Sequence, residues 1–217
     1  VRRQRQMCIR DSGWACWKTY VGRPQTDSAR RMAMTRLGNG LHHAGHNEDA
    51  LSVGEAQLST YRRIGAPEHN ILGAQNNLAN TYEKLGRVEE ALRMRQDVYS
   101  GRLELSGKEY EGTLRAANNY ASTLVNLERF EEAKSVLRKT MPVARRVLGE
   151  GNELTLKMRK IYATALYEDD SSTPDDLREV VTTFKETART ARRVFGAVHP
   201  LTVEIEGNLR VARAELR

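Results

Sequence analysis

The chain repeats itself. NNLANTYEKLGRVEEAL at 76–92 returns as NNYASTLVNLERFEEAK at 118–134, 42 residues on, and LGNGLHHAGHNEDAL at 37–51 aligns with 78–92 at a shift of 41. Glycines mark the other half of each unit: Gly65, Gly107, Gly149 and Gly196 follow one another at intervals of 42, 42 and 47. A period in this range signals stacked helical units, each too thin to bury its apolar face alone, so that neighbours complete the core. Such arrays present surface and seldom enclose a reaction centre.

Within a unit the apolar spacing defines two helices. Leu78, Ala79, Tyr82 and Leu85 fall on one face of a first helix (A), which Gly86 ends. Val88, Ala91, Leu92, Val98 and Leu105 form the stripe of a longer second helix (B), with Glu89 and Glu90 in its first turn, where carboxylates favour the helix dipole. Ala91 is small because the two helices must approach closely there. The third unit repeats the pattern with Tyr120, Ala121, Leu124 and Leu127, then Phe130, Ala133, Val136, Leu137, Val143 and Val147. The first A helix carries Gly38 and Gly40, each costing about 1 kcal/mol relative to alanine, so it is expected to fray or bend. In the fourth unit EDDSSTPDDL replaces the short turn, with Thr173 as N-cap, Pro174 at N1 and Asp175 and Asp176 in the first turn. A last helix from about Pro200 matches another A helix.

The expected architecture is all-α: a right-handed superhelix of about four helix pairs plus a terminal helix. Its units span about 28–68, 69–109, 110–151 and 152–197, with the terminal helix over 198–217. Residues 1–27 are expected to be an unstructured or non-native leader, though Trp14, Trp17 and Tyr20 at spacing three suit a short helix packed on the first repeat. VRRQRQMCIRDS at 1–12 resembles translated adapter sequence, a disordered basic tail being the alternative. That tract holds four arginines and one aspartate, and so supplies three of the net +7 charges. No run of about eighteen apolar residues and no apolar signal core is present. Cys8 and Cys16 lie outside the repeats and cannot staple them, which favours a cytoplasmic, reducing setting.

With those residues in hand, the chain resembles the tetratricopeptide repeats of the kinesin-light-chain type, whose units run about 42 residues because helix B is long. The resemblance rests on NNLA at 76–79, GRVEEAL at 86–92, ARRVLG at 144–149, ARRVFG at 191–196 and FGAVHPLT at 195–202, and it covers roughly 30–217. The last motif degrades to LGEGNELT at 148–155 and IGAPEHNI at 64–71. No heptad precedes the repeats, so the resemblance does not extend to a motor subunit.

The resemblance implies that A helices line a groove whose non-core positions bind extended peptides. Carried over by repeat register, these are Thr35, Asn39, His42 and His43; Asn76, Asn80, Glu83 and Lys84; Arg115, Asn118, Ser122 and Asn126; and Lys157, Lys160 and Thr164. Asparagine offers donor and acceptor to a peptide backbone. Arginine and lysine add charge-assisted contacts to carboxylates, so an acidic or C-terminal segment is the expected partner. The alternative is that Asn77 and Asn119 bond between helices and that the cations are solvated.

Other candidates carry less. His42 and His46 stand at i, i+4, a zinc spacing, but no cysteine or acidic ligand shares their helix at suitable spacing, so solvated turn histidines account for them. The cluster Glu168, Asp169, Asp170, Asp175 and Asp176 lacks the alternation and central glycine of a calcium loop and reads as a solvated turn. Ser171, Ser172 and Thr173 could accept phosphate, as could any exposed Ser/Thr-Pro. No nucleophile elbow, phosphate-binding loop or dinucleotide fingerprint occurs, so neither an enzyme nor a cofactor is expected. The pairs Arg62-Arg63, Arg145-Arg146 and Arg192-Arg193 recur at B-helix ends, where they complement the dipole. A nucleic-acid surface is their alternative reading. A regulatory repeat region of a larger nucleotide-switching ATPase is the other function considered.

Overall fold

The computed structural model describes residues 2–215, with side chains from Asp11 onward. The described residues form ten helices and no strand. After α1 (Arg2–Tyr20), four A–B pairs follow: α2 (Ser28–Ala44) with α3 (Asn47–Arg63), α4 (Glu68–Lys84) with α5 (Val88–Ser106), α6 (Glu111–Asn126) with α7 (Phe130–Leu148), and α8 (Glu153–Tyr167) with α9 (Pro174–Phe195). The terminal helix α10 spans Pro200–Glu215. The chain divides into two compact units, Val1–Gly101 and Arg102–Arg217.

In the first unit, Leu51, Leu58, Tyr61, Ala74, Leu78, Ala79, Tyr82 and Ala91 form one buried cluster, the apolar face the periodicity marks. A smaller cluster of Leu37, Leu41 and Ala50 is covered by Trp17 and Val53. Ala91 is fully buried. Gly54 brings α3 against α4 so closely that a Cβ there would stand 2.9 Å from Cδ1 of Leu78. Helix α2 runs unbroken through Gly38 and Gly40, where fraying or bending was expected. Packing supplies the reason, since Gly40 is itself buried in the helix stack. Helix α1 covers most of the stretch set aside above as a leader and packs on α2. Residue 1 and the side chains of 2–10 lie outside the described residues, so the adapter reading of 1–12 stays a proposal.

In the second unit, Leu114, Tyr120, Ala121 and Leu124 of α6 share a core with Ala133, Leu137 and Ala144 of α7 and with Leu156, Ala163 and Leu166 of α8. Phe184 of α9 and Ile205 of α10 continue it. Thr173 and Asp176 form a reciprocal capping box, with Pro174 in the first turn of α9.

The A-to-B turns show why glycine recurs. Gly45 and Gly86 take φ of +84° and +76°, the left-handed conformation that closes a helix. Glu128 holds the same place in the third unit with φ of +58°, the one non-glycine residue at positive φ among those described. A side chain there costs roughly 1–2 kcal/mol that glycine avoids.

Candidate polar faces on the A helices

In the first unit the outward positions of α2 and α4 carry the predicted residues. Asn39 and His43 are exposed, while His42 is half-buried with its ring 5.5 Å from that of His43. Burial lowers the His42 pKa, and the nearby His43 and Lys84 lower it further, so all three influences favour the neutral imidazole. His46 faces Asp49 at 3.9 Å rather than sharing a ligand site with His42. Thr35 is taken up structurally: its hydroxyl donates to the Arg31 carbonyl at 3.1 Å and accepts from buried Gln57.

A residue that sequence reasoning missed organises α4. Arg95 comes from helix B and is only 5% exposed. Its guanidinium donates to Glu83 at 2.6 Å, to Oδ1 of Asn80 at 2.9 Å and to Oδ1 of Asn76 at 3.4 Å. Asn76, Asn80 and Glu83 are therefore brought together and held in fixed rotamers from below. A buried charge requires this, because an unpaired guanidinium would lose its hydration without compensation. The clue was available: Arg95 stands three residues from both Leu92 and Val98 on the buried stripe of α5. Lys84 is exposed and forms no ion pair among the described residues.

The second unit has the same face on α6, α8 and α10, but its cations are matched. Arg115 pairs with Glu111, Lys157 with Glu153 at 2.6 Å, and Lys160 with Glu204 of α10 at 2.6 Å. Asn118 is buried: its Nδ2 donates to Oδ1 of Asn119 at 3.3 Å, and its own Oδ1 has no partner among the described residues. Ser122 and Thr164 are half-buried and Asn126 is exposed.

The acidic turn is not simply solvated, as expected above. Lys134, 4% exposed, stands where the preceding unit has Leu92, and it reaches Asp169 at 2.7 Å and Glu131 at 2.5 Å. Burial alone would lower the Lys134 pKa; the hydrogen bonds the ammonium donates to those carboxylates outweigh it and leave the pKa raised. The Asp169 carboxyl is held down at about 2 by Lys134, then by the Ser171 hydroxyl and amide. Among the described residues, three of the six paired arginines form ion pairs as well: Arg145 with Glu150 at 2.5 Å, Arg146 with Glu109 at 2.5 Å, and Arg192 with both oxygens of Glu206 at 2.8 and 3.1 Å.

Comparison with known proteins agrees with these helix pairs. Residues 70–146 match the tetratricopeptide repeat family. BtubC (BKLC) from P. vanneervenii superposes with a TM-score of 0.72 at 14% identity, over 99% of this chain and 84% of that one. A Podosopora anserina kinesin light chain with nearly identical TPR-like repeats gives 0.70 at 18% identity, over 85% and 86%. A Rap protein, solved in complex with competence and sporulation factor, gives 0.61 at 12%, over 99% of this chain and 61% of that one. No curated protein matches significantly in sequence. Residues 70–146 are tetratricopeptide repeats, and the chain has the all-helical fold of kinesin-light-chain-like repeat structures. No helix among the described residues is long and apolar enough to cross a membrane.

Proposed function

We propose that this chain is a protein-interaction scaffold whose A-helix faces hold an extended segment of a partner protein by binding, without catalysis. The observation that carries the reading is the Arg95 clamp. It fixes Asn76 and Asn80 on the outward face of α4 through their Oδ1 atoms, and the Asn80 amide N–H groups have no partner among the described residues. Side chains already locked in place lose little entropy when a ligand arrives. Asn39, Lys84, Arg115, Asn118, Ser122, Asn126, Lys157 and Lys160 are proposed to share the role with Asn76 and Asn80.

Preference for an acidic segment or a C-terminal carboxylate is a finer proposal and falls mainly on Lys84. Arg115, Lys157 and Lys160 already face carboxylates of this chain, so an anionic partner must displace exposed glutamates to reach them. Such exposed pairs are weak enough to exchange.

The test uses positions that hold nothing else in place. Peptides are selected from a random display library on the whole chain and their affinities measured by fluorescence anisotropy. The variant Asn39→Ala with Lys84→Ala should bind them about tenfold more weakly, the loss of one charge-assisted contact and one amide contact. Amidation of the peptide C-terminus should weaken binding further if a terminal carboxylate is read. Unchanged affinity in the variant removes the A-helix face from the reading. Steeply salt-dependent binding of mixed DNA or RNA through the arginine pairs would replace it with the nucleic-acid alternative.

A further inference from the structure

A cavity of about 270 Å³ opens between α7, α8 and α9. Its wall carries Arg138, Met141, Pro142 and Arg145 of α7 and Arg159 and Tyr162 of α8. Three guanidiniums thus converge on one space beside an aromatic ring, with Glu179 of α9 the single carboxylate lining it. The three differ in their commitments. Arg159, with 14% of its side chain exposed, is held by Glu186 at 2.7 Å and Glu150 at 3.6 Å. Arg145 shares Glu150 at 2.5 Å. Arg138 forms no ion pair among the described residues; its guanidinium carbon lies 5.9 Å from the centre of the Tyr162 ring, and it hydrogen-bonds the Tyr162 side chain. A guanidinium carries five N–H donors, so one anchored on a tyrosine still has donors left for a carboxylate or phosphate.

This cluster is not a repeat feature. One period earlier, Arg138, Arg145 and Arg159 correspond to Gln96, Leu103 and Ala117, while Tyr162 corresponds to Tyr120. The aromatic therefore belongs to the repeat and Arg145 recurs as Arg192 one unit on, whereas Arg138 and Arg159 have no cationic counterpart in the preceding unit. Met141 and Pro142 add an apolar wall, and Glu150 and Glu186, which pair with the arginines, do not line the space and keep about half or more of their side chains exposed.

We propose that this cavity binds a small organic anion: a single carboxylate or phosphate on a flat or apolar body, the charged end held by Arg138 with Arg145 and Arg159 and the body lodged against Met141 and Pro142. The volume admits one amino-acid-sized group and excludes a folded partner. Glu179 selects against polyanions, which would have to lie beside it.

The methyl resonance of Met141 in the full chain reports on the site directly. It is followed by ¹³C-methyl NMR while benzoate, phenyl phosphate, inorganic phosphate or sodium chloride is added at matched ionic strength. The expected result is a saturable Met141 shift with benzoate or phenyl phosphate, whichever binds tighter naming the charged end, and a weaker response to inorganic phosphate. Arg138→Gln, which restores the residue of the preceding repeat, should weaken binding about tenfold with the thermal midpoint unchanged. Arg138→Lys should fall between, because charge survives without the fork. An equal shift with chloride, no saturation with either organic anion, or unaltered affinity in Arg138→Gln each overturns the site.

Discussion

Arg95 offers the sharpest test of how the first unit is held together. The residue is 5% exposed, and its partner Glu83 keeps 23% of its side-chain surface in water. Replacing Arg95 with methionine fills the stem volume but takes the guanidinium away from the carboxylate and two amide oxygens. Removing one member of a buried pair costs about 3–5 kcal/mol. Because Glu83 retains some solvent, and water can reach its freed oxygens, we expect about 2–3 kcal/mol here. Glu83→Gln keeps shape and one acceptor and should cost about 1 kcal/mol. Once the carboxylate is gone, Arg95→Met removes less, so the double variant should be no worse than Arg95→Met alone, giving a coupling of at least about 1 kcal/mol. Urea titration gives the totals. Hydrogen exchange of α4 amides locates the loss, since stability in a repeat array is spread over neighbouring units. If Arg95→Met costs under about 0.5 kcal/mol, the range of ordinary surface changes, or if the two substitutions simply add, Arg95 is not the organising charge of this face.

Acid should loosen the second unit through Asp169. Its folded carboxyl sits at about 2, below the usual value near 3.8. Its contribution is therefore fully present above about pH 4 and lost as pH falls towards about 2. Melts followed by circular dichroism should show that acid limb flattened in Asp169→Asn, and an unchanged limb would place the sensitivity elsewhere. Glu128→Gly should raise stability by about 1 kcal/mol in urea, because it relieves a side chain held at φ of +58°. The mirror change Gly86→Ala, at φ of +76°, should lower stability by a similar amount, and equal effects of like sign would refute the turn argument.

The repeat period, the A and B stripes, the N-cap at Thr173 and the terminal helix were all legible in the residues. Each depends on spacing along a single helix, and helical spacing is a local property. The alignment also held the exception at Glu128, which stands where Gly86 stands one unit earlier. What spacing could not reveal was the fate of the polar residues. Asn76 and Asn80 look like free amides until Arg95 reaches them from another helix, and Lys160 looks like an open cation until Glu204 of α10 meets it. Asp169 likewise reads as a turn residue, yet it neutralises Lys134, 35 positions away in the chain. Apolar periodicity thus determined which faces must be buried, because burial follows from each helix's own pattern. Only the packing of one helix on the next decided which charges meet, since a counter-ion is chosen by distance in space and leaves no period in sequence.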